Sequence, residues 1–400
     1  MPIPSAGVPG TATFDYNALF DEYGGMVGPS AQLLLGGMEL AVDGLPLIVD
    51  NLRVDLTAGY EASVASFRIY NVYKDKDGTF RYEDVKNQLY LGAIVRLDLG
   101  YLTYAETVFM GFVAGISFGY DPGDLPYIEV SCMDIKGLMM ANAYAAQLKA
   151  KSYGEAVREI FTRPGSSYEK LKTKMGYTDL QVSDTPDKQE GGGDSKASAE
   201  TIEMVTESDY EFIVRAAKRF NFEFFVDKGV IYFRKAKSDK IPLIQLSAGE
   251  GLISFRIDYS ITGIVGSIEA RAINSADGKL LTYKKRMDNE ISTASSARDM
   301  VSGGSKVFVD PSIITDIDAE ARVDALMEKM SYRLGTLEAE CFGIPELCPG
   351  RFITIHNMAT PGDNDFYLTR VTHTFNSERG YRTSIVGCAD KIQNAEVGMP

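Results

Sequence analysis

The sequence predicts an α+β fold that is mainly β, with two similar antiparallel β-barrel-like domains and a helical and mixed α/β insertion between them. In two regions apolar and polar residues alternate with period 2, which is typical of strands with one buried and one solvated face. Helix-start patterns lie between these regions. The length of 400 residues suggests two or three domains, because a single core seldom grows so large.

These patterns divide the chain into four parts. They are an N-terminal arm (1–35), a first β-barrel domain (36–140), a middle region (141–250) with a flexible linker (183–200), and a second β-barrel domain (251–395) with an inserted helix (316–335).

The N-terminal arm is rich in Gly, Pro, Ser and Ala and shows no sustained period. A disordered tail is one interpretation. The density of large apolar side chains from Phe14 to Tyr23 instead favours an arm that docks on a neighbouring subunit.

The first β region contains several short alternating segments divided by turn sequences, a pattern that favours a barrel or sandwich. The strands are predicted at Arg53–Thr57, Ser63–Tyr70 and Val95–Leu99, and the turns at 43–44, 76–78 and 121–124.

The middle region contains two helix starts of the capping-box form, Ser152 with Glu155 and Ser208 with Glu211. The second start opens an apolar stripe that ends at Phe220 and leads into a predicted hairpin with a turn at 227–229. The run of three glycines at 191–193 lacks the spacing of a phosphate-binding loop, so a flexible linker is the better interpretation.

The second β region is expected to begin near Leu252 and to end near Cys388. Residues 267–272 alternate as in a strand. Asp316 is predicted to cap a helix that Gly335 terminates.

Two stretches resemble each other, residues 92–132 and 350–385. In each, a glycine opens a strand, a turn follows, and an aromatic residue precedes a valine by four positions, Phe109 before Val113 and Tyr367 before Val371. We interpret them as one β unit used twice, although two unrelated antiparallel meanders could look alike at this level.

The composition argues against several classes of protein. A net charge of −14 disfavours specific binding of nucleic acid, which needs clustered Lys and Arg. Four cysteines do not form a disulfide scaffold, which favours a reducing compartment for assembly. We expect no secretory signal, because the first basic residue is Arg53, and no membrane segment, because Gly36, Gly37 and Glu39 interrupt the most apolar stretch.

Catalytic and metal chemistry find little support in the sequence. His356 and His373 are the two histidines, and with Cys348 they could in principle form a Cys/His hydrolase. His373 lies in an alternating strand, so a structural role is favoured. The spacing of Cys341, Cys348 and His356 is not that of a zinc finger. We therefore predict no catalytic residue, no cofactor and no metal site.

The segment ESDYEFIVRAAKRFNFEFFVD (207–227) resembles the helix-hairpin signature of the phage late-control D proteins. The same element occurs in the hub half of type VI secretion (VgrG) spike proteins. The segments PGRFITI (349–355), FYLTRVTHTF (366–375), LDLGY (97–101) and VFMGFV (108–113) resemble strands of that family in the same order. The residues that carry this structural signature are Ser208, Asp209, Tyr210, Glu211, Phe212, Gly350, Tyr367 and Val371.

The resemblance implies the structural baseplate hub of a contractile tail or injection machine, and not an enzyme. In that family, two similar β-barrel domains per subunit form a trimeric ring that adapts a hexameric tail tube to a trimeric spike. The implied assembly is a homotrimer. Its implied partners are the tail tube protein, a separate spike protein and other baseplate proteins. The implied location is the baseplate of a virion or injection particle, assembled in the cytoplasm of a bacterial host. The alternatives are a tail-associated cell-wall hydrolase and a carbohydrate-binding tail-tip protein.

Overall fold

The computed structural model describes residues 12–392, except 43–44, 75, 103, 124, 167, 170–171, 173, 175–176, 178, 186–201, 275–277, 288–294, 312 and 314. The predicted turn at 43–44, residue 124 of another turn, and most of the predicted linker therefore lie outside the described residues.

The elements of the chain fall into three regions. The first region contains α1 (Tyr16–Glu22), β1 (Pro29–Leu35), β2 (Met38–Glu39), β3 (Ala41–Val42), β4 (Leu45–Pro46), β5 (Ile48–Thr57), β6 (Val64–Tyr70), β7 (Tyr73–Lys74), β8 (Thr79–Phe80), α2 (Tyr82–Val85), β9 (Ile94–Tyr101), β10 (Ala105–Gly119) and β11 (Tyr127–Met133). The second contains α3 (Lys136–Met139), β12 (Tyr144–Leu148), α4 (Tyr153–Thr162), β13 (Asp179–Val182), β14 (Ile202–Glu207), α5 (Asp209–Phe220), β15 (Phe222–Asp227) and β16 (Val230–Lys235). The third contains β17 (Pro242–Ala248), β18 (Gly251–Tyr259), β19 (Ser267–Ile273), β20 (Leu280–Arg286), α6 (Ser295–Ser302), β21 (Ser305–Val309), α7 (Asp316–Ser331), β22 (Gly335–Phe342), β23 (Phe352–Ile355), β24 (Asn364–Asn376) and β25 (Gly380–Ala389).

Six strands of the first region form the first β unit, in the sheet order β1-β9-β10-β11-β6-β5. All neighbouring pairs are antiparallel. Six strands of the third region form the second β unit, a closed barrel in the order β17-β23-β24-β25-β22-β18. The fold class predicted from the sequence is confirmed, but the second unit is not wholly antiparallel, because β17 runs parallel to both of its neighbours. This barrel also starts at Pro242, before the predicted boundary at 251.

The two units share one strand order, which confirms the predicted repeat at that level, although β1 runs antiparallel to β9 whereas β17 runs parallel to β23. The strands β1, β5, β6, β9, β10 and β11 have their counterparts in β17, β18, β22, β23, β24 and β25, in the same order in the chain and in the sheet. The amide of Gly92 donates to the carbonyl of Val113 at 2.8 Å, and the amide of Gly350 donates to that of Leu368 at 2.9 Å. The next step along each long strand is a β-bulge, between Val113 and Gly115 and between Leu368 and Arg370.

This equivalence corrects one detail of the predicted repeat. Gly92 does match Gly350, but Val113 matches Leu368, and Val371 matches Ile116. The match of Val113 with Val371 is wrong by three residues. Aromatic and valine residues are frequent in any strand, so their spacing does not define register.

A hairpin joins the two units into one sheet of 13 strands. No described strand links β1 to β5, so the first unit does not close by itself. Instead, β24 leaves β23 at its bulge and pairs with β5, from Arg370 opposite Thr57 to Phe375 opposite Leu52. A single hydrophobic core, with buried residues from both units, lies beneath this sheet.

The expectation of an arm that docks on a neighbouring subunit is wrong for residues 12–35. Residues 29–35 form β1, and Phe14 donates its amide to the carbonyl of Leu243 at 2.7 Å. Leu19 and Tyr23 are buried in the common core of the same chain. Most of the large apolar side chains of this segment are therefore packed within the chain, although Phe20 is 40% exposed.

The second region forms a separate core around α4, α5 and the hairpin β15–β16. The predicted hairpin is formed, and its turn has two residues, Lys228 and Gly229, which both have positive φ, since Asp227 pairs with Val230. The start of the predicted linker is packed, since Thr185 is buried and accepts a hydrogen bond from the amide of Gly154 at 2.9 Å. Residues 186–200 of that prediction lie outside the described residues.

A third core fills the connection between β18 and β22. In this insertion, the sheet β20-β19-β21 packs against α7. Residues 267–272 thus belong to a sheet outside the second β unit. Thr315, and not Asp316, caps α7 and forms a capping box with Asp318, and the helix ends at Ser331. A carboxylate at the third helical position reaches back to the cap residue, whereas one at the first position does not.

Candidate assembly surface

The predicted helix start at Ser208 is formed as a capping box. The Ser208 hydroxyl accepts from the amide of Glu211 at 3.1 Å, and the Glu211 carboxylate accepts from the amide of Ser208 at 2.7 Å. These bonds satisfy two backbone donors at the start of α5. Bonding to Ser208 lowers the pKa of the Glu211 carboxyl.

The other signature residues of this helix fix it to its surroundings. Asp209 is buried and forms an ion pair with Arg163. The Tyr210 hydroxyl donates to the carbonyl of Tyr60, in the loop between β5 and β6, at 2.9 Å. Phe212 is buried in the core of the second region. This part of the signature therefore orients α5 through the contacts of Asp209, Tyr210 and Phe212.

Gly350 and Tyr367 attach the hairpin β15–β16 to the second β unit. Arg234 donates to the carboxylate of Glu223 and to the carbonyl of Gly350, both at 2.6 Å. The Tyr367 hydroxyl donates to the same carboxylate. Gly350 has a φ of 82°, and a Cβ at this position would lie 2.7 Å from Cζ of Phe225. Both the positive φ and the close approach of Phe225 therefore favour glycine at this position.

The joint between β24 and β5 is the contact that unites the two β units. Val371 and His373, on the inner face of β24, are buried and lie opposite Leu56 and Val54. On the outer face, the Thr372 hydroxyl donates to the carboxylate of Asp55 at 2.6 Å. Arg53 holds that carboxylate in an ion pair at 2.7 Å.

The surroundings of His373 do not suit acid–base catalysis. Its Nε2 lies 3.2 Å from the carbonyl of Leu347, which can only accept, so Nε2 carries the hydrogen and Nδ1 accepts from the Tyr381 hydroxyl at 2.9 Å. Burial lowers the pKa of His373 to about 3. Cys348 is also buried, and burial raises the pKa of its thiol. A nucleophile and base need a reachable surface, which neither group has.

Neither a metal site nor a membrane helix is found in the part of the chain that the structure describes. No group of three or more His, Cys, Asp or Glu residues there could bind a metal ion. No helix among those residues is long and apolar enough to cross a membrane.

The structure brings together Gly350 and Tyr367 around Arg234 and leaves Ser208–Phe212 as a separate cluster. Glu223 and Arg234, which link the first pair, are not predicted from the sequence, because two charged residues on a hairpin look like ordinary solvated positions. The segment RIDYS (256–260) is similar to RVDLT (53–57) and is a signal in the sequence that could have located the counterpart of β5.

Comparisons with known structures identify the fold. The chain is similar to the tail protein from Neisseria meningitidis MC58, with a TM-score of 0.62 and 12% identity, over 91% of this chain and 97% of that one. It is also similar to the 43 kDa tail protein of prophage MuSo2 from Shewanella oneidensis, with a TM-score of 0.61 and 14% identity, over 90% and 98% of the two chains.

A third similar structure is the E. coli c3393 protein, described as a component of the type VI secretion system with structural similarity to the T4 bacteriophage tail proteins gp27 and gp5. The TM-score is 0.51 and the identity 13%, over 88% of this chain and 76% of that one. The sequence matches no protein-family model and no curated protein. The resemblance to tail proteins inferred from the sequence is thus confirmed at the level of the fold.

Proposed function

We propose that this chain is the structural baseplate hub of a contractile tail or injection machine. In this role it forms a trimeric ring that adapts a hexameric tail tube to a trimeric spike, which is a separate chain. The observation that carries the proposal is the presence of two β units with the same strand order in a chain with the fold of phage tail proteins.

The repeat supports this role through symmetry. Three subunits with two similar units each present six similar surfaces on one side of a ring. A hexameric partner can then meet six nearly equivalent sites, while the same ring keeps threefold symmetry for the spike. A trimer of chains with one β unit each could not offer six equivalent sites together with threefold symmetry.

The proposal assigns no catalysis to the chain. The burial of His373 and Cys348 supports this view, since both belong to the candidate Cys/His set, whose third member is His356. The proposed location is the tail baseplate, after assembly in the bacterial cytoplasm.

The mass of the purified full chain tests the proposal. Light scattering is expected to give three times the subunit mass of 43.8 kDa, with the chain alone or on addition of the spike. Electron microscopy of the complex should show six similar lobes around an axial passage, with tube and spike on opposite faces. A monomer that persists in the presence of the spike contradicts the hub role. Cleavage of peptidoglycan by the purified chain in a zymogram favours the hydrolase instead.

A further inference from the structure

Two strand edges in the described part of this chain are unpaired, although the equivalent strands in the other β unit pair with each other. The outer part of β24 pairs with β5 inside the chain. The counterpart of that outer part is the end of β10, and the counterpart of β5 is β18. Among the described strands, only β11 pairs with β10 beyond its bulge, and only β22 pairs with β18 beyond Leu252.

We propose that these two edges pair with each other between subunits, so that the end of β10 in one copy adds to β18 of the next. This inference rests on the proposed function and names the contact that builds its ring. The internal joint between β24 and β5 serves as the template, because its residues map onto the free edges one by one.

The template gives a definite register. The matched bulges equate residues 370–375 with 115–120, and the pairs of β5 with β6 and of β18 with β22 equate residues 52–57 with 255–260. Applied to the observed pairing, this mapping predicts Ile116 opposite Tyr259, Phe118 opposite Ile257, and Tyr120 opposite Phe255. Every predicted inner-face pair is apolar.

Side chains beside the two unpaired edges are more exposed than their counterparts in the internal joint. On β5, the inner-face residues Leu52 and Val54 are 2% and 0% exposed beneath β24. Phe255 on β18, the counterpart of Leu52, is 41% exposed. Phe118, the counterpart of the fully buried His373, is 48% exposed. Large apolar side chains in this state are typical of a contact surface, and an open strand edge beside them can accept another strand.

The polar chemistry of the template is also repeated. Arg53 and Asp55 form an ion pair at 2.7 Å, and Arg256 and Asp258 form another at 2.7 Å. In the internal joint, Asp55 accepts a hydrogen bond from Thr372. The mapping places Ser117, which also has a hydroxyl, opposite Asp258.

The contact is of the head-to-tail type, since a first unit meets a second unit. Such contacts close into rings when the rotation between neighbours allows it. Internal and intersubunit joints then alternate around the ring, and each β unit contacts two others.

Cysteine cross-linking of the full chain tests the register. Chains carrying Ser117→Cys are mixed with chains carrying Asp258→Cys under oxidised glutathione. Directly opposite residues have Cα atoms about 4.5–5.5 Å apart, which is within the range of a disulfide. We expect covalent dimers only in the mixture, and covalent rings from the doubly substituted chain. The pair Ser117→Cys with Ser384→Cys, both exposed, is the matched control and is expected not to cross-link.

Association of uncross-linked chains gives a second measurement. Phe118→Asp and Phe255→Asp are each expected to weaken self-association by about tenfold or more, because a charge would be buried in the contact. Phe255 is 41% exposed in the subunit, so the thermal melt of Phe255→Asp should be little changed, whereas Phe118→Asp also loses edge-to-face contacts with Phe80 and Tyr82 and should melt somewhat lower. Leu102→Asp, at an 81% exposed position in the turn after β9, is the control and should leave association intact.

The outcomes separate the contact from the hub role. Trimers that neither cross-link in this register nor respond to Phe118→Asp overturn the contact and leave the hub role standing. Cross-linking of Ser117→Cys chains with each other overturns the head-to-tail arrangement. A wild-type chain that is monomeric at every concentration, with and without the spike, overturns both proposals.

Discussion

At the scale of single residues, the internal joint contains a histidine that is held neutral. His373 is fully buried, and its two ring nitrogens are engaged by the Leu347 carbonyl and the Tyr381 hydroxyl. Burial is the main cause of its low pKa, because a charged imidazolium loses its hydration there. The residue is therefore a neutral, hydrogen-bonded side chain that packs beneath the β24–β5 joint.

This histidine should make the stability of the chain depend on pH. Its pKa is about 3 in the folded chain and about 6.5 when unfolded. The unfolded state binds the extra proton between these values, so stability is complete above about pH 6.5 and falls as the pH decreases towards 3. The loss should reach a few kcal/mol, at about 1.4 kcal/mol per pKa unit.

Urea denaturation of wild type and His373→Gln from pH 7 to pH 4 measures this dependence. The variant is expected to be less stable at pH 7 and to lose less stability on acidification. The carboxyl groups of the chain contribute equally to both curves, so the difference between the curves reports the protonation of His373. Parallel curves would show that this residue is protonated without cost.

At the scale of the elements, the glycines that open β9 and β23 separate backbone strain from steric contact. Gly92 and Gly350 occupy equivalent positions with φ of 87° and 82°. A Cβ on Gly92 would meet no atom within 4 Å, whereas one on Gly350 would lie 2.7 Å from Phe225.

Replacement of each glycine by alanine is therefore expected to have unequal effects. Gly92→Ala should cost about 1 kcal/mol for its left-handed backbone. Gly350→Ala adds the collision with Phe225 and should cost about 1–3 kcal/mol more, because the buried hairpin has to shift. Chemical denaturation of the two variants gives the comparison, and equal losses would mean that the hairpin yields freely.

The signature helix α5 depends on its cap. Ser208→Ala removes the acceptor for the Glu211 amide and should destabilise the chain by about 1 kcal/mol. Ser384→Ala, at an exposed position on β25, is the control and should change little. A thermal melt of Ser208→Ala that coincides with wild type would show that the cap adds nothing to stability.

At the scale of the whole molecule, strand β24 of one hairpin pairs with strands of both β units. The inner part of β24 pairs with β23 in the second unit, and its outer part pairs with β5 in the first. The bulge after Leu368 marks the change of partner, and the extra residue bends the strand from one unit towards the other. The two units share a core and should move as one body within the proposed ring.

Much of the local structure could be predicted from the sequence. Alternation located the strands that became β5, β6 and β9, and the capping boxes located the starts of α4 and α5, because these signals act between residues close in the chain. The repeat of RVDLT as RIDYS was also present in the sequence, although its meaning depended on knowing which strands are neighbours.

Only the tertiary structure decided which strand pairs with the edge of each unit. The pairing of β24 with β5 brings together residues more than three hundred positions apart, and each strand alone shows the same alternation whether its edge is filled or free. Likewise, the apolar side chains between Phe14 and Tyr23 indicate that this segment is buried but not where, and the structure places Tyr16, Leu19 and Tyr23 in the core of their own chain. A sequence pattern specifies which face of an element is buried, whereas the partner that covers it depends on the arrangement of the whole chain.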